Sequence, residues 1–242
     1  MRTNADLFAD ALYRRGVRHV YGIPSGENLA VVDAMRRRGT AFVLVSNEAS
    51  AGFMADVEGR LTGRPGVCLS TLGPGACNMS TGVGNAFLDR SPLVALTAQV
   101  RRPLHGRVTQ MHVEHRLLFQ PITKWSAALS PGSIERMVVN AFSLAVEEIP
   151  GPVHLDMPQD VMEEATSSAE SQIVEDLRGN ANCPLPDVAA VEKALKEARH
   201  PVMALGLSAA RCRLNNGLTA FAERHGIPVV STLMGKGAIL PK

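Results

Sequence analysis

Short apolar segments alternate with segments of helical periodicity along most of this chain of 242 residues. The apolar runs at residues 67–69 and 93–96 contain no charged side chain, and segments with helical periodicity follow them. Uninterrupted apolar runs are typical of strands that are covered on both faces, and helical connections let successive strands run parallel. The sequence therefore predicts an α/β fold, a doubly wound parallel sheet with helices on both faces. The predicted strands span residues 17–22, 41–46, 66–71, 92–98 and 153–157. An N-terminal helix is predicted to end at Gly16, and further helices are predicted to span 28–37, 49–61, 75–88 and 133–148. No element is predicted for 101–125.

The composition changes between the two parts of the chain. Residues 166–186 are rich in small and polar side chains, a composition typical of a surface linker. We therefore assign residues 1–165 to a first domain and 187–242 to a second α/β unit. Its predicted helices span residues 188–198 and 215–225 and its predicted strands span 202–205 and 227–231. Two strands are too few for an independent doubly wound domain. We expect this unit to be incomplete and the chain to be a truncated part of a longer protein.

Charge and composition exclude several classes of function. A net charge of +2 and an aromatic content of 4% do not support a nucleic-acid-binding surface. No apolar run approaches the ~20 residues of a membrane-spanning helix, and no secretory signal follows the first methionine. Four cysteines without a Cys-x-x-Cys pair predict free thiols and a cytoplasmic protein. His112 and His115 could share a helix face, but without a third ligand they predict no metal site.

Three predicted strands end in residues that can contact a ligand. The first is followed by Pro24, Ser25 and Gly26, the second by Glu48, and the third by the turn at residues 73–75. The carboxyl ends of parallel strands lie at one edge of the sheet, where α/β proteins bind ligands. Glu48 follows an apolar segment that we predict to be a buried strand. A strand-end glutamate can also cap a helix or pair with a neighbour such as Arg60, and local chemistry leaves these alternatives open.

The pattern Gly73-x-Gly75-x-x-Asn78 nearly matches the dinucleotide-binding fingerprint. It follows the third strand instead of the first, Asn78 replaces the third glycine, and Pro74 has no amide for a pyrophosphate. An NAD-binding domain and a helix N-terminus without a ligand are the two alternatives that this segment leaves open.

Longer stretches resemble a known family. Together they are similar to the pyrimidine-binding domain of thiamine diphosphate enzymes, within which the acetolactate synthase group is most alike. Residues 185–242 resemble the opening of the central domain of that family. The stretches in the first domain are residues 22–24, 47–56, 59–63, 66–78, 87–94, 119–125 and 151–161.

This resemblance implies a cofactor, a reaction and a set of site residues. The cofactor is thiamine diphosphate, and the substrate is a 2-oxoacid that is decarboxylated or joined to a second carbonyl compound. The carboxyl group of Glu48 is expected to hydrogen-bond the aminopyrimidine ring and to activate it. The family also implies a homodimer or homotetramer. The residues expected to line the ring pocket are Pro24, Ser25, Gly26, Gly73, Pro74 and Gly75, with Asn78 close by.

The sequence departs from the family pattern at three places. It contains no Gly-Asp-Gly motif, so we expect the diphosphate and Mg²⁺ site outside this chain and no activity from the chain alone. Met111 falls where relatives carry a glutamine that faces the substrate, and Gln110 is one position earlier. The turn at residues 206–209 contains only Gly206 and is not glycine-rich as in flavin-binding central domains, so FAD is not predicted. The alternative to an enzyme part is a dimerising module that binds no cofactor.

Overall fold

The computed structural model describes residues 1–107, 111–166, 187–212 and 215–239, and the side chains of 215 and 216 are not described. The chain divides into two compact units, Met1–Asn180 and Ala181–Lys242. The predicted linker lies almost entirely outside the described residues. In the described part of the chain, no helix has the length and apolarity needed to cross a membrane.

The first unit is built around a six-stranded sheet in the order β2-β1-β3-β4-β6-β5, with every neighbouring pair parallel. This arrangement confirms the predicted α/β fold with a parallel sheet. The strands are β1 (His19–Gly22), β2 (Ala41–Leu44), β3 (Gly66–Ser70), β4 (Leu93–Gln99), β5 (Trp125–Ala128) and β6 (Pro152–Pro158). The helices are α1 (Asn4–Arg14), α2 (Leu29–Arg38), α3 (Glu48–Thr62), α4 (Pro74–Leu88), α5 (His115–Phe119), α6 (Ile134–Val146) and α7 (Gln159–Glu163).

Both faces of the sheet are covered by apolar side chains. Side chains alternate between the two faces of a strand, so Val67 and Leu69 of β3 join one core while Cys68 joins the other. The first core packs against α1, α2 and α6, and the second packs against α3, α4 and α5. This double coverage explains why the central strands are continuous apolar runs in the sequence.

Helices α3 and α4 cross with their backbones in contact. A methyl group on Gly52 of α3 would lie 2.8 Å from the Cα atom of Gly82 in α4. Only glycines permit such a close approach. The N-terminus of α3 is capped by Asn47, whose side chain accepts a hydrogen bond from the amide of Ala49. The crossing therefore sets the separation between the first turns of the two helices, and both first turns lie at the carboxyl edge of the sheet.

The structure corrects two predictions about strands. Segment 41–46 was expected to be a buried strand, but β2 ends at Leu44 and lies at the edge of the sheet, with Leu44 69% exposed. Segment 101–125, for which no element was predicted, includes α5 and leads directly into strand β5. The sequence of β5 is Trp-Ser-Ala-Ala, which carries no β-branched residue. Pairing with β6 stabilises this segment as a strand in spite of its low strand propensity.

The second unit contains a two-stranded parallel sheet. Its strands are β7 (Met203–Leu205) and β8 (Val229–Ser231), with Met203 opposite Val229. Its helices are α8 (Val188–Glu197), α9 (Leu207–Arg211) and α10 (Asn215–His225). The two strands and two longer helices were predicted, whereas the short helix α9 was not.

Candidate functional site

The loops that follow β1, β2 and β3 lie side by side. In the sheet register, Gly22 at the end of β1 is opposite Leu44 of β2 and Leu69 of β3. The chain therefore leaves three neighbouring strands at one edge, as expected for parallel strands. Among the residues predicted for the site, the structure brings Glu48, Gly75 and Asn78 into contact.

Glu48 is the first residue of α3 and is only 7% exposed. Its Oε2 atom accepts a hydrogen bond of 3.1 Å from the side-chain amide of Asn78. Its Oε1 atom faces Gly75, where a methyl group would lie 3.0 Å from that oxygen. Within the described residues, Oε1 makes no hydrogen bond. The site thus holds a buried carboxyl group with one oxygen hydrogen-bonded to Asn78 and the other packed against the buried Gly75.

The 73–75 turn has a backbone that only glycine adopts readily. Gly73 has a φ of +61° and precedes Pro74, the first residue of α4. A methyl group on Gly73 would lie 2.0 Å from the carbonyl oxygen of Met111, and one on Gly75 would lie 2.6 Å from the methyl carbon of Thr71. The turn is therefore packed so closely that its glycines have no room for side chains.

Met111 reaches the site through its backbone. Its carbonyl oxygen packs on Gly73, while its side chain is 42% exposed. Gln110, the alternative candidate for a substrate-facing side chain, lies outside the described residues.

The loop after β1 approaches the same turn. Pro24 and Gly26 are exposed and Ser25 is half-buried, with the Ser25 amide donating to Asn28 at 2.8 Å. The contact between this loop and the turn comes from a residue that the sequence did not single out. Glu27 accepts a hydrogen bond of 3.4 Å from the hydroxyl of Thr71. Glu27 thereby brings a second carboxylate to the edge of the sheet that carries Glu48.

Beneath the turn lies a buried polar network that sequence reasoning missed. The amide of Gly73 donates to Nε2 of His115 at 3.0 Å, and Nδ1 of His115 is 2.9 Å from Oδ1 of Asp156. The hydroxyl of Thr97 donates to that same oxygen at 2.7 Å, and the amide of Gln99 reaches Oδ2 at 3.3 Å. The side chains of this network are at most 2% exposed. The one indication of this network is that Thr97 lies opposite Asp156 in the neighbouring strand, and this can be recognised only once the sheet register is known.

His154 extends the network on the far side of Thr97. Its Nε2 lies 2.8 Å from the Thr97 hydroxyl, its Nδ1 lies 2.8 Å from the Ser126 hydroxyl, and its ring stacks on Phe119 at 4.4 Å. Burial lowers the pKa of His154 from 6.5 to about 3, so this imidazole is neutral. Burial opposes ionisation of Asp156, but hydrogen bonds from His115 and Thr97 outweigh it and hold the pKa of Asp156 below its usual range.

The structure gives other roles to the competing partners named from the sequence. Arg60, considered as a partner of Glu48, pairs with Asp56 and Asp89. His115, considered as a metal ligand, has both ring nitrogens in hydrogen-bonding contacts within the protein. In the described ranges, no group of three histidine, cysteine or carboxylate side chains is arranged to hold a metal ion.

Comparison with known proteins identifies the family of this chain. Residues 2–120 match the thiamine pyrophosphate enzyme N-terminal TPP binding domain, and residues 188–242 match the thiamine pyrophosphate enzyme central domain. An acetolactate synthase of Bacillus subtilis is 34% identical over 236 residues, which cover 97% of this chain and 41% of that protein. An acetolactate synthase of Arthrospira platensis is 36% identical over 248 residues, which cover 97% and 42%.

An acetolactate synthase large subunit of Corynebacterium glutamicum is similar to the same extent, with 36% identity over 244 residues that cover 97% of this chain and 38% of that protein. The chain thus spans about two fifths of the length of these relatives. The resemblance stated from the sequence is confirmed, and the chain belongs to the thiamine pyrophosphate enzymes, with their N-terminal TPP-binding domain as its first unit.

Proposed function

We propose that this chain is the pyrimidine-binding part of a thiamine diphosphate-dependent, acetolactate synthase-like enzyme, and that Glu48 is its catalytic residue. The observation that carries this proposal is the buried Glu48 carboxyl group, with Oε2 occupied by Asn78 and Oε1 facing Gly75. Gly75 is buried and packs against Oε1, so a side chain at position 75 would displace the carboxyl group. A buried carboxyl group with one oxygen held by Asn78 fits an aminopyrimidine, which offers ring nitrogens and an amino group to hydrogen-bond.

The two oxygens of Glu48 have different roles in this proposal. The Asn78 amide donates to Oε2, which makes Oε2 the accepting end of the carboxyl group. Oε1 is then the oxygen that meets a ring nitrogen and exchanges a proton with it. Burial keeps water from competing for this hydrogen bond. When bound, thiamine diphosphate supplies the electron sink for decarboxylating a 2-oxoacid, and the protein supplies proton placement and geometry.

The remaining site residues position the ring. The backbone of Gly73, Pro74 and Gly75 forms one wall, and the loop of Pro24, Ser25 and Gly26 forms another. We assign the diphosphate and Mg²⁺ contacts to a separate domain, because the sequence contains no Gly-Asp-Gly motif. Exposed Met111 is the candidate for contact with the substrate, together with Gln110.

Two copies of the chain are proposed to pair through α3 and α4. Phe53 and Leu61 of α3 and Leu88 of α4 are 42%, 70% and 80% exposed, so these helices present apolar side chains that a partner can cover. A homodimer or a homotetramer would cover it. The names of the relatives support a 2-oxoacid as the substrate, since these proteins are acetolactate synthases.

The substitution Glu48→Gln tests the role of Glu48. Glutamine keeps the shape of the side chain but cannot carry the proton at Oε1. In the full-length protein we expect turnover to fall by about 100-fold or more, with an unchanged melting temperature. The control is Glu192→Gln, which changes an exposed carboxylate that pairs with Lys196. Turnover within about tenfold of wild type would contradict the proposal.

A titration of this chain with thiamine separates the enzyme part from a module without a cofactor. We expect the amide resonances of Gly75 and Asn78 to shift on addition of thiamine. Resonances that stay unchanged up to the solubility limit of thiamine would favour a dimerising module that binds no cofactor.

A further inference from the structure

His115 connects the 73–75 turn to the interior of the sheet through hydrogen bonds. We propose that His115, oriented by Asp156, is a positioning residue that holds the 73–75 turn against Glu48. This inference rests on the proposed function of Glu48, and it assigns to the buried network a role in setting the geometry of the site.

The hydrogen bonds define which nitrogen of His115 carries the proton. The amide of Gly73 can only donate, so Nε2 of His115 must be the unprotonated nitrogen. The ring proton is then on Nδ1, from which it is donated to Asp156 at 2.9 Å. Asp156 therefore selects the tautomer of His115 that can accept a hydrogen bond from the turn.

Asp156 is itself fixed from the centre of the sheet. Thr97 lies opposite Asp156 in the register of β4 and β6, and its hydroxyl donates to Oδ1 at 2.7 Å. Because the Thr97 hydroxyl donates its own proton to Oδ1, its oxygen accepts a hydrogen bond of 2.8 Å from the N–H group at Nε2 of His154. Gln99 donates to the other carboxylate oxygen. The carboxylate thus receives hydrogen bonds from two residues of its neighbouring strand. These hydrogen bonds fix the position of the carboxylate relative to the sheet.

The turn transmits this position to the residues that contact Glu48. Gly73 immediately precedes α4, Gly75 faces Oε1 of Glu48, and Asn78 donates to Oε2 from the next turn of the helix. Gly73 has a ψ of −114° with its φ of +61°, a conformation that glycine alone tolerates and that needs a partner for its amide. Loss of the His115 contact would free the start of α4 to move relative to Glu48.

Asparagine and glutamine at position 115 separate positioning from simple core packing. The terminal amide of glutamine reaches about as far as Nε2 of histidine, so its oxygen can accept from Gly73. The amide of asparagine reaches only about as far as Nδ1, so it can donate to Asp156 but leaves Gly73 without an acceptor. Both substitutions keep a polar, uncharged group at a fully buried position.

Hydrogen exchange and thiamine titration of the 242-residue chain test the proposal. We expect the Gly73 amide to exchange about tenfold faster in His115→Asn than in wild type, and to be restored in His115→Gln. We also expect thiamine to bind about tenfold more weakly to the asparagine variant and with restored affinity to the glutamine variant. Wild-type thiamine affinity in His115→Asn would overturn the inference while leaving the role of Glu48 intact.

Two further results distinguish failure of this inference from failure of the proposed function. Absence of any thiamine-induced shift in wild type would overturn the proposed function and this inference together. If the asparagine variant does not fold, the ¹⁵N resonances of His115 in wild type decide the matter. We expect Nε2 to be unprotonated, and a proton on Nε2 would overturn the inference.

Discussion

Replacement of Gly75 by alanine tests the geometry around Glu48 most directly. The added methyl group would lie 2.6 Å from the methyl carbon of Thr71 and 3.0 Å from Oε1 of Glu48. Both separations are shorter than an ordinary carbon contact, so Thr71 or Glu48 has to move. A carboxyl group displaced in this way would no longer meet the proposed heterocycle in its wild-type position.

Two opposing contributions determine the stability of Gly75→Ala. Alanine is favoured over glycine within a helix by up to about 1 kcal/mol. Overpacking a close contact costs about 1–3 kcal/mol. We therefore expect the free energy of unfolding to change by anything from zero to a loss of about 2 kcal/mol. Thiamine affinity should fall by tenfold or more, since a displaced carboxyl group loses about 1.4 kcal/mol or more of interaction.

The control for this substitution is Gly84→Ala in the same helix. A methyl group there would have its nearest neighbour at 3.9 Å, on the side chain of Ile122, which is an ordinary contact. We expect this variant to gain up to about 1 kcal/mol in stability and to bind thiamine as wild type does. Urea denaturation and the thiamine titration measure both quantities. Wild-type thiamine affinity in Gly75→Ala would refute the reasoning that Gly75 holds the Glu48 carboxyl group in position.

Two other predictions concern stability. Gly52→Ala would place a methyl group 2.8 Å from the Cα atom of Gly82 and should reduce the free energy of unfolding by about 1–3 kcal/mol, measured by urea denaturation against Gly84→Ala. The pKa of His154 is about 3 in the folded protein, below its value of 6.5 in the unfolded chain. Because the unfolded chain therefore binds a proton at this residue more readily, the free energy of unfolding falls as the pH drops below 6.5. Between pH 7 and pH 5 this group should cost about 2 kcal/mol, and His154→Gln, whose terminal amide can still reach Thr97, should show a pH dependence weaker by that amount. An unchanged pH dependence in the glutamine variant would show that His154 is not the group responsible.

The sequence predicted the order of strands and helices along the chain well, because periodicity is a local property. It did not reveal how the strands are arranged in the sheet. The segment before Glu48 is apolar enough for a buried strand, yet β2 occupies an edge, and only the pairing of strands decides that. Strand β5 was missed since its four residues have little strand propensity of their own.

The same distinction applies to the site. Glu48 and the 73–75 turn could be proposed from the sequence because a carboxylate or a glycine pair that follows a strand is a local pattern, which does not depend on the position of that strand in the sheet. The network beneath the turn joins His115 to Asp156 across 41 positions and Thr97 to Asp156 across 59 positions. Such contacts depend on sheet register, which no local pattern of residues specifies.

The crossing of α3 and α4 has a consequence for how this protein can vary. Glu48 lies one helical turn before Gly52, and Gly75 lies two turns before Gly82, so each helix carries one residue of the candidate site a short distance from the contact point. That contact joins main chain to main chain and involves no rotamers. The side chains on the outward surfaces of both helices can therefore change by mutation, or contact a different oligomeric partner, while the distance between Glu48 and Gly75 is preserved.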